Sequence, residues 1–307
     1  MTSVSLFQFS LCFKSPRTPQ KCGVFVCPFI WLLCCLFLSK IVYASETVEL
    51  KAKLDSNHDA ADQIKSSFGK YSIEAPDLLK NEQGKSDRIK VIRDKELKSA
   101  FEFIIDRDLD GDRNKIWPKG KERQRNEIKG YKGSVDALKG YKNQTHQIKW
   151  YLKIEDSFKF TKEFCHFFQL KAVGHKNVDE PILTLSGVVG GGKPQLQLRV
   201  WSGDRSVRHF LADWKVSKGR WLKCEIRCKY AKDGSFDFSI ESMNGEFKAE
   251  VTKENFQTWR EGFEFVRPKW GIYRSLASFK NQLNPVDSIY LNHFSIQKRL
   301  KDPIGSN

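Results

Sequence analysis

Three short segments of the chain place polar side chains at every second residue, which is the spacing of side chains on one face of a β-strand. The segments are RQRNEIK (123–129), HFFQLKAVG (166–174) and RPKWGIYRSL (267–276). Their polar faces carry Arg123, Arg125, Glu127, Lys129, Gln169, Lys171, Lys269 and Tyr273. Each face taken alone is typical of a solvated surface, but the three together suit one reaction.

That reaction is β-elimination on a uronic acid. The C5 proton beside the sugar carboxylate is only weakly acidic, so the carboxylate must be neutralised and the enolate stabilised, which arginine and an amide can do. A tyrosine can remove this proton and then protonate the leaving O4 when both lie on the same side of the ring. Nearby lysine and arginine are expected to lower the pKa of such a tyrosine, because positive charge favours the phenolate. This mechanism requires no cofactor and no metal.

The elements that must position these residues are strands, because apolar residues alternate with polar ones from about residue 96 onward. In PQLQLRVW (194–201), for example, Leu196 and Leu198 alternate with Gln197 and Arg199. Hairpin turn signals separate the strands, and no βαβ rhythm is present. The pattern predicts an all-β fold, a two-sheet jelly roll of the concanavalin A-like sandwich type. Its outward Arg, Gln, Lys and Tyr residues predict a concave groove for an extended polymer, with Gln197 and Arg199 at outer subsites.

The predicted organisation has four parts, which are a signal peptide (1–44), an N-terminal segment leading into the sandwich (45–95), the jelly-roll domain (96–300) and a C-terminal tail (301–307). The first part has an apolar run after several basic residues, and it ends in VYA, which predicts cleavage after Ala44. An uncleaved membrane anchor is the alternative. The mature protein is expected to be secreted, with no membrane association after cleavage, and monomeric.

The charge of the chain favours an anionic partner. Residues 1–44 contain four Lys and Arg and no Asp or Glu, so their removal lowers the formal net charge from +16 to +12. A basic secreted protein suits an acidic polysaccharide, and the secretory signal argues against nucleic acid. The sequon NQT at Asn143 predicts a glycoprotein. Cys165, Cys224 and Cys228 are interpreted as buried free thiols, with a bridge from Cys165 as the alternative.

Two motifs imitate ligand loops without completing them. GVVGGGKP (187–194) begins like a phosphate loop, but Pro194 replaces the Ser or Thr that would hold magnesium, and a strand follows it. DRDLDGDRN (106–114) begins like a calcium loop but lacks the twelfth-position Glu. A solvated acidic turn is the favoured interpretation, and a structural calcium near Asp106, Asp108 and Asp110 is the alternative.

Taken in order, the three segments resemble the jelly-roll polysaccharide lyases of the alginate and glucuronan lyase type. The alginate lyases carry Arg-x-Glu-Leu-Arg, Gln-Ile-His and Tyr-Phe-Lys-Ala-Gly-x-Tyr, which RNEIK, QLK and KWGIY match in part. The resemblance implies that Arg125 binds the substrate carboxylate with Glu127 supporting it, and that Gln169 is the neutralising amide. It implies further that Tyr273 is the catalytic tyrosine and Lys269 its charged neighbour, with Lys129 also near the substrate.

The sequence departs from this pattern at Lys171, which stands where the alginate lyases have their catalytic histidine. Lys171 could act as a base or as a cation beside the enolate. His166 is the other candidate for proton transfer, although an unbroken strand would turn it to the opposite face. The departure favours a glucuronan-like or other uronan substrate over strict alginate specificity. A non-catalytic, lectin-like module that binds acidic glycans is the second hypothesis.

Overall fold

The computed structural model describes residues 45–78, 84–112, 123–203 and 205–299. Within these residues, two antiparallel sheets pack face to face as a sandwich, and strands far outnumber helices. The predicted all-β jelly roll is therefore confirmed.

The described elements follow one another along the chain with two short helices among the strands. In chain order they are β1 (Ser45–Leu50), α1 (Ala60–Phe68), β2 (Ile73–Glu74), β3 (Ile89–Asp94), β4 (Lys98–Asp106), β5 (Arg123–Lys129), β6 (Thr145–Ile154), β7 (Cys165–Gly174), β8 (Leu183–Gly190), β9 (Lys193–Ser202), β10 (Arg205–Asp213), α2 (Trp214–Ser217), β11 (Trp221–Lys229), β12 (Gly234–Ser242), β13 (Lys248–Phe256), β14 (Phe263–Ser275) and β15 (Val286–Arg299).

The two sheets divide the described strands between them. One sheet has the order β13-β12-β11-β6-β15-β4-β3, and β1 pairs with β15 beside this path. The other sheet has the order β10-β9-β8-β7-β14-β5-β2. The three segments of the sequence motif are β5, β7 and β14, which are adjacent in the second sheet. We call this second sheet the site sheet.

The core lies between the inner faces of the two sheets and is rich in aromatic side chains. Trp150 of the first sheet stacks on Phe168 of the site sheet, with ring centroids 4.3 Å apart. Trp270 packs against Phe294 across the same gap, with ring centroids 5.2 Å apart. Burial of such large side chains is the main favourable term in folding. The inward residues of β7 and β14 are therefore fixed, and this fixes their outward neighbours.

The N-terminal segment 45–95 is built into the sandwich. Its strand β1 pairs with β15, β3 pairs with β4, and the two-residue β2 pairs with β5 of the site sheet. Helix α1 begins after Asp59, whose carboxylate accepts a hydrogen bond from the Asp62 amide, and it buries Ile64 and Phe68. The segment therefore supplies both core and site residues.

Some of the remaining sequence predictions fall outside the described residues, and others can be compared with the structure. Residues 1–44 and 301–307 lie outside the described residues, so the signal peptide and the tail stay predictions. No helix among the described residues is long and apolar enough to cross a membrane. Asn143 lies in an exposed turn before β6, and its glycosylation stays a prediction. Cys165, Cys224 and Cys228 are buried and unbridged, as interpreted from the sequence.

Candidate active site

Antiparallel pairing aligns the predicted site residues in rows that cross the site sheet. In the first row, Arg125 lies opposite Tyr273, and Tyr273 lies opposite His166. The row continues through Ser186 to Gln197 on β9. Because cross-strand partners share a face, these side chains all point outward from the sandwich.

A second row runs beside the first on the same outward face. Lys129 lies opposite Lys269, and Lys269 lies opposite Gln169. The row continues through Thr184 to Arg199 on β9. Glu127 lies between the two rows on β5, and Lys171 follows Gln169 on β7. The ten residues singled out from the sequence therefore share one face of one sheet.

The expectation that His166 faces away from Gln169 is wrong, because a β-bulge interrupts β7. Its register shifts between His166 and Phe168 against β8, and a matching shift occurs against β14. The consecutive residues Phe167 and Phe168 both point into the core, where they pack against Phe158 and Trp150. The extra residue returns His166 to the outward face. Its ring centroid lies 6.0 Å from that of Tyr273.

Arg125 and Tyr273 of the first row lie at the floor of a cleft of about 990 Å³. Arg123, Arg125, Lys171 and Tyr273 line this floor. The walls are formed by residues 107–112, 173–180 and 276–280, of which several contribute lining side chains or backbone. A cleft of this volume is within the range of ordinary ligand sites.

Tyr273 is held from two sides by arginine. Its hydroxyl accepts a hydrogen bond of 2.7 Å from Arg123, and the Arg125 guanidinium carbon lies 3.7 Å from the centroid of its ring. Burial raises the pKa of Tyr273 above its usual value, although Arg125 and the hydrogen bond from Arg123 act in the opposite direction. The expectation of a lowered pKa is therefore wrong, because desolvation of the phenolate outweighs the nearby positive charge.

Arg125 is surrounded by carboxylates. Its Nε lies 2.9 Å from Asp112, and its Nη1 lies 2.6 Å from Glu127 and 3.5 Å from Glu74. Burial lowers the pKa of Arg125, but Glu127 and Glu74 raise it well above its usual value. Of the three acids, only Asp112 lines the cleft. Glu74 and Glu127 lie below the floor, with side chains only 3 % and 1 % exposed.

Glu74 and Glu127 anchor a buried ion network below the cleft. Lys269 pairs with Glu74 at 2.8 Å and with Glu127 at 2.7 Å, and Lys129 also pairs with Glu74. The Gln169 amide nitrogen donates to Glu127 at 2.5 Å. The predicted substrate contacts of Lys129 and Lys269 are therefore corrected, because both ammonium groups are buried against carboxylates and support the floor from below.

Lys171 and His166 differ in how their surroundings set their charge. Burial and the charges of Lys269 and Arg125 lower the pKa of Lys171 to about 8, and its Nζ donates to the Asp179 carbonyl at 2.9 Å. Burial lowers the pKa of His166 to about 3. The imidazole of His166 is therefore neutral at physiological pH, and its Nδ1 lies 2.8 Å from the Ser186 hydroxyl.

Gly271 is required by the close pairing of two strands. Its φ of 138° lies in the region that favours glycine. A Cβ on this residue would lie 2.1 Å from the carbonyl oxygen of Asn126 on the neighbouring strand. The glycine between Lys269 and Tyr273 therefore allows β14 to approach β5 closely between these two residues.

The acidic loop 106–111 forms one wall of the cleft, and the end of the calcium-like motif, residues 113–114, lies outside the described residues. Asp106 accepts from the amides of Asp108 and Leu109, and Asp110 pairs with Arg88 at 3.0 Å. The amide nitrogen of Gln124 donates to three carbonyl oxygens of the loop, those of residues 106, 107 and 110. No group of three or more potential metal-ligating side chains occurs in the described part of the chain.

Three residues at the site were not predicted from the sequence. Arg123 was visible in the first segment, on the same face as Arg125, and that shared face was the signal. Asp112 was visible only as one of the acids of the 106–114 motif. Glu74 had no signal, because β2 is too short to show alternation.

Comparison with known proteins agrees with the geometry. A family model described as polysaccharide lyase matches residues 63–295, a range that includes every residue named in this site. No curated protein matches the chain.

Solved structures resemble the chain in fold at low sequence identity. A marine PL-14 alginate lyase from Aplysia kurodai has a TM-score of 0.50 and 12% identity, over 82% of this chain and 98% of that one. A family 7 alginate lyase in complex with substrate has a TM-score of 0.50 and 13% identity, over 75% and 94%. An endo-β-1,4-glucuronan lyase from Trichoderma reesei has a TM-score of 0.48 and 12% identity, over 81% and 93%.

The family match and the jelly-roll fold lead to the same conclusion. The family model covers well over half of the chain, and the cleft lies on the sheet that holds all three sequence motifs. The chain belongs to the polysaccharide lyase family.

Proposed function

We propose that this polysaccharide lyase cleaves a uronic-acid-containing polysaccharide, glucuronan-like or alginate-like, by β-elimination, and that it acts as a secreted protein. The observation that carries the proposal is the convergence of Arg125 and Tyr273 at the floor of one cleft, with Gln169 next to them on the same sheet face. Convergence of a tyrosine, an arginine and an amide is what removal of a proton beside a carboxylate needs.

The substrate carboxylate binds Arg125 by replacing Asp112. The guanidinium is already paired with Glu127 and Glu74, which other cations hold below the floor. Asp112 is the partner on the cleft side, with its oxygens 2.9 and 3.4 Å from the guanidinium nitrogens Nε and Nη2. A uronate carboxylate can form the same two-point contact. Asp112 is thus the anion that the substrate carboxylate displaces from Arg125.

Gln169 and Lys171 complete the neutralisation of the carboxylate. An ionised Glu127 can only accept, so the Gln169 amide nitrogen faces it. That nitrogen has a second hydrogen, which can be donated toward the substrate. Lys171 lines the cleft beside Arg125 and is a cation below its pKa of about 8. Its role here is electrostatic stabilisation of the enolate.

Tyr273 transfers the proton. Its phenolate oxygen takes the C5 proton, the C5–H electron pair forms the C4–C5 double bond, and the bond from C4 to O4 breaks. The same tyrosine then returns the proton to the departing O4, which requires both groups on one side of the ring. Arg123 stabilises the phenolate through its hydrogen bond to the hydroxyl and so acts on the oxygen that must lose its proton.

His166 is the second candidate for the base. Its imidazole is neutral and adjacent to Tyr273 in the first row, although a pKa of about 3 makes it a weak base at physiological pH. It would be needed for a substrate whose C5 proton and O4 lie on opposite sides of the ring, with Tyr273 then acting only as the acid. The choice of substrate therefore decides between the two roles.

The test is to mix the protein with glucuronan, alginate and glycosaminoglycans and to follow the ultraviolet absorbance of the unsaturated product. The proposal expects a rise on at least one uronan and its loss in Tyr273→Phe. No rise on any uronan, with binding retained, would overturn the proposal in favour of a lectin-like module. A rise that persists in full in Tyr273→Phe would overturn the assignment of the proton transfer.

A further inference from the structure

The outward face of the site sheet continues past the cleft to the edge strand β10. Arg208 of β10 lies directly opposite Arg199 of β9, and Phe210 lies directly opposite Gln197. Both rows therefore extend to this edge, and the first of them begins at the cleft. Four strand spacings of about 4.8 Å separate β14 from β10, which places the edge roughly 19 Å from the strand of Tyr273.

Two arginines, Arg199 and Arg208, lie directly opposite each other at this edge. Like charges directly opposite each other on neighbouring strands destabilise a sheet. No ion pair joins Arg199 or Arg208 to an acid among the described residues, and Arg208 is exposed. The pair therefore has the charge that an anionic ligand would neutralise.

Arg199 is held in a fixed orientation. Its guanidinium carbon lies 4.5 Å from the centroid of the Trp201 ring, and its Nε and Nη2 donate to the Ser206 hydroxyl at 3.1 and 3.0 Å. A fixed guanidinium loses less conformational entropy on binding an anion than a mobile one. This arrangement distinguishes Arg199 from a solvated surface arginine.

Phe210 adds an exposed aromatic ring to the arginine pair. Its side chain is 58% exposed, and its position opposite Gln197 places it on the outward face. An exposed ring offers a flat apolar surface on which the C–H face of a sugar can pack, beside cations that bind its carboxylate.

We propose that Arg199, Arg208 and Phe210 form a distal anchor for the same anionic polysaccharide, binding a uronate residue several sugars away from the bond that is cleaved. The occupant is the continuation of the substrate chain, because the first row leads from Tyr273 in the cleft to Phe210 at the anchor and the anchor is cationic. This inference rests on the proposed function. It gives the enzyme a preference for chains long enough to reach both sites.

The experiment compares long polymer with short oligomers in the double variant Arg208→Gln and Phe210→Ala. The variant loses one charge-assisted contact, that of Arg208, and one apolar contact, that of Phe210. KM for the long polymer should therefore rise roughly tenfold while kcat stays unchanged. KM for oligomers too short to span the two sites should not change. The matched control is Arg205→Gln with Val207→Ala, since these residues lie on the same strand but point to the opposite face.

Three results would overturn the distal anchor. They are an unchanged KM for long polymer, an equal rise for short oligomers, or an equal rise in the control. Gel electrophoresis through a uronan-containing matrix gives a second measurement that needs no catalysis. Wild-type protein should be retarded more than the double variant. If the wild type cleaves no uronan yet shows this difference, the proposed function fails and the anchor stands.

Discussion

The two ends of the site sheet use positive charge in different ways. At the β5–β14 end, Lys129 and Lys269 are buried and paired with Glu74 and Glu127. At the β9–β10 end, Arg199 and Arg208 face each other with no acid in an ion pair among the described residues. Buried charges must be paired, whereas exposed ones need not be. The charges at the first end hold the cleft in shape, and those at the second end are available to a ligand.

Paired and unpaired cations also contribute to function in two different ways. A cation that is already neutralised cannot add much to substrate affinity, but its loss disturbs the groups that it positions. A cation without an internal partner adds directly to affinity for a polyanion and contributes little to folding. Variants at the two ends should therefore differ in whether stability or KM changes.

The largest effect is expected at Tyr273, where the first row meets the cleft. The variant Tyr273→Phe removes the proton-transfer oxygen but keeps the ring that stacks on Arg125. We expect kcat to fall about 10²- to 10⁴-fold, the usual contribution of general acid–base catalysis, with little change in KM. Initial rates of product formation measure this.

The matched control for Tyr273 is Tyr290→Phe. Tyr290 lies on the other sheet, where its hydroxyl donates to Glu155. Full activity in this control, combined with loss in Tyr273→Phe, assigns the effect to the cleft. Equal losses in both variants would show that removal of a tyrosine hydroxyl acts through folding.

The next effect concerns stability at the buried end. In Glu74→Gln, the charged partner of Lys129 and Lys269 is removed from a site in which both ammonium groups are buried. Breaking a buried ion pair in this way typically costs about 3–5 kcal/mol of unfolding free energy. Urea denaturation measures the change, and Glu261→Gln is the control. The Glu261 pair with Lys176 is largely exposed, so its loss should cost at most about 1 kcal/mol.

The residues changed in these variants differ in how far the sequence predicts their positions. Alternation in segments such as PQLQLRVW predicts the strands and their inward faces, because burial on one face imposes period two. The neighbourhood of Arg125 and Tyr273 was predicted from the resemblance of the three motifs to the lyase pattern, and the structure places these motifs on adjacent strands. Glu74 escaped prediction because its strand has two residues, and because its importance comes from a pairing across the sheet.

The bulge at His166 shows a second limit. A one-residue insertion reverses the face of every earlier residue in the strand, so strict alternation places His166 wrongly. The two consecutive residues Phe167 and Phe168 were a signal, since a half-buried strand does not normally have adjacent large apolar residues. The burial of Lys269 could not be predicted in the same way, because its partner Glu74 lies about 195 residues earlier in the chain.

A smaller effect, in the opposite direction, is expected at Asp112. The variant Asp112→Asn keeps the shape of the side chain but removes the charge that competes with a substrate carboxylate for Arg125. KM should fall several-fold while kcat stays the same. Asp108→Asn is the control, since Asp108 also lines the cleft but pairs with Arg107. A higher KM in Asp112→Asn would mean that Asp112 orients Arg125 for the substrate and does not compete with it.

The smallest effect is a pH dependence at Lys171, which lies at the cleft between the two ends. Its pKa of about 8 means that it is a cation below this pH and neutral above it. If its role is electrostatic, KM for a polyanion should rise as pH passes from 7 to about 9, and Lys171→Arg should remove this rise, because arginine stays charged. If Lys171 were the base, activity would instead increase as it lost its proton, and Lys171→Arg would be inactive. Measuring kcat and KM separately across this range distinguishes the two, since deprotonation of Tyr273, whose pKa is raised by burial, acts on kcat.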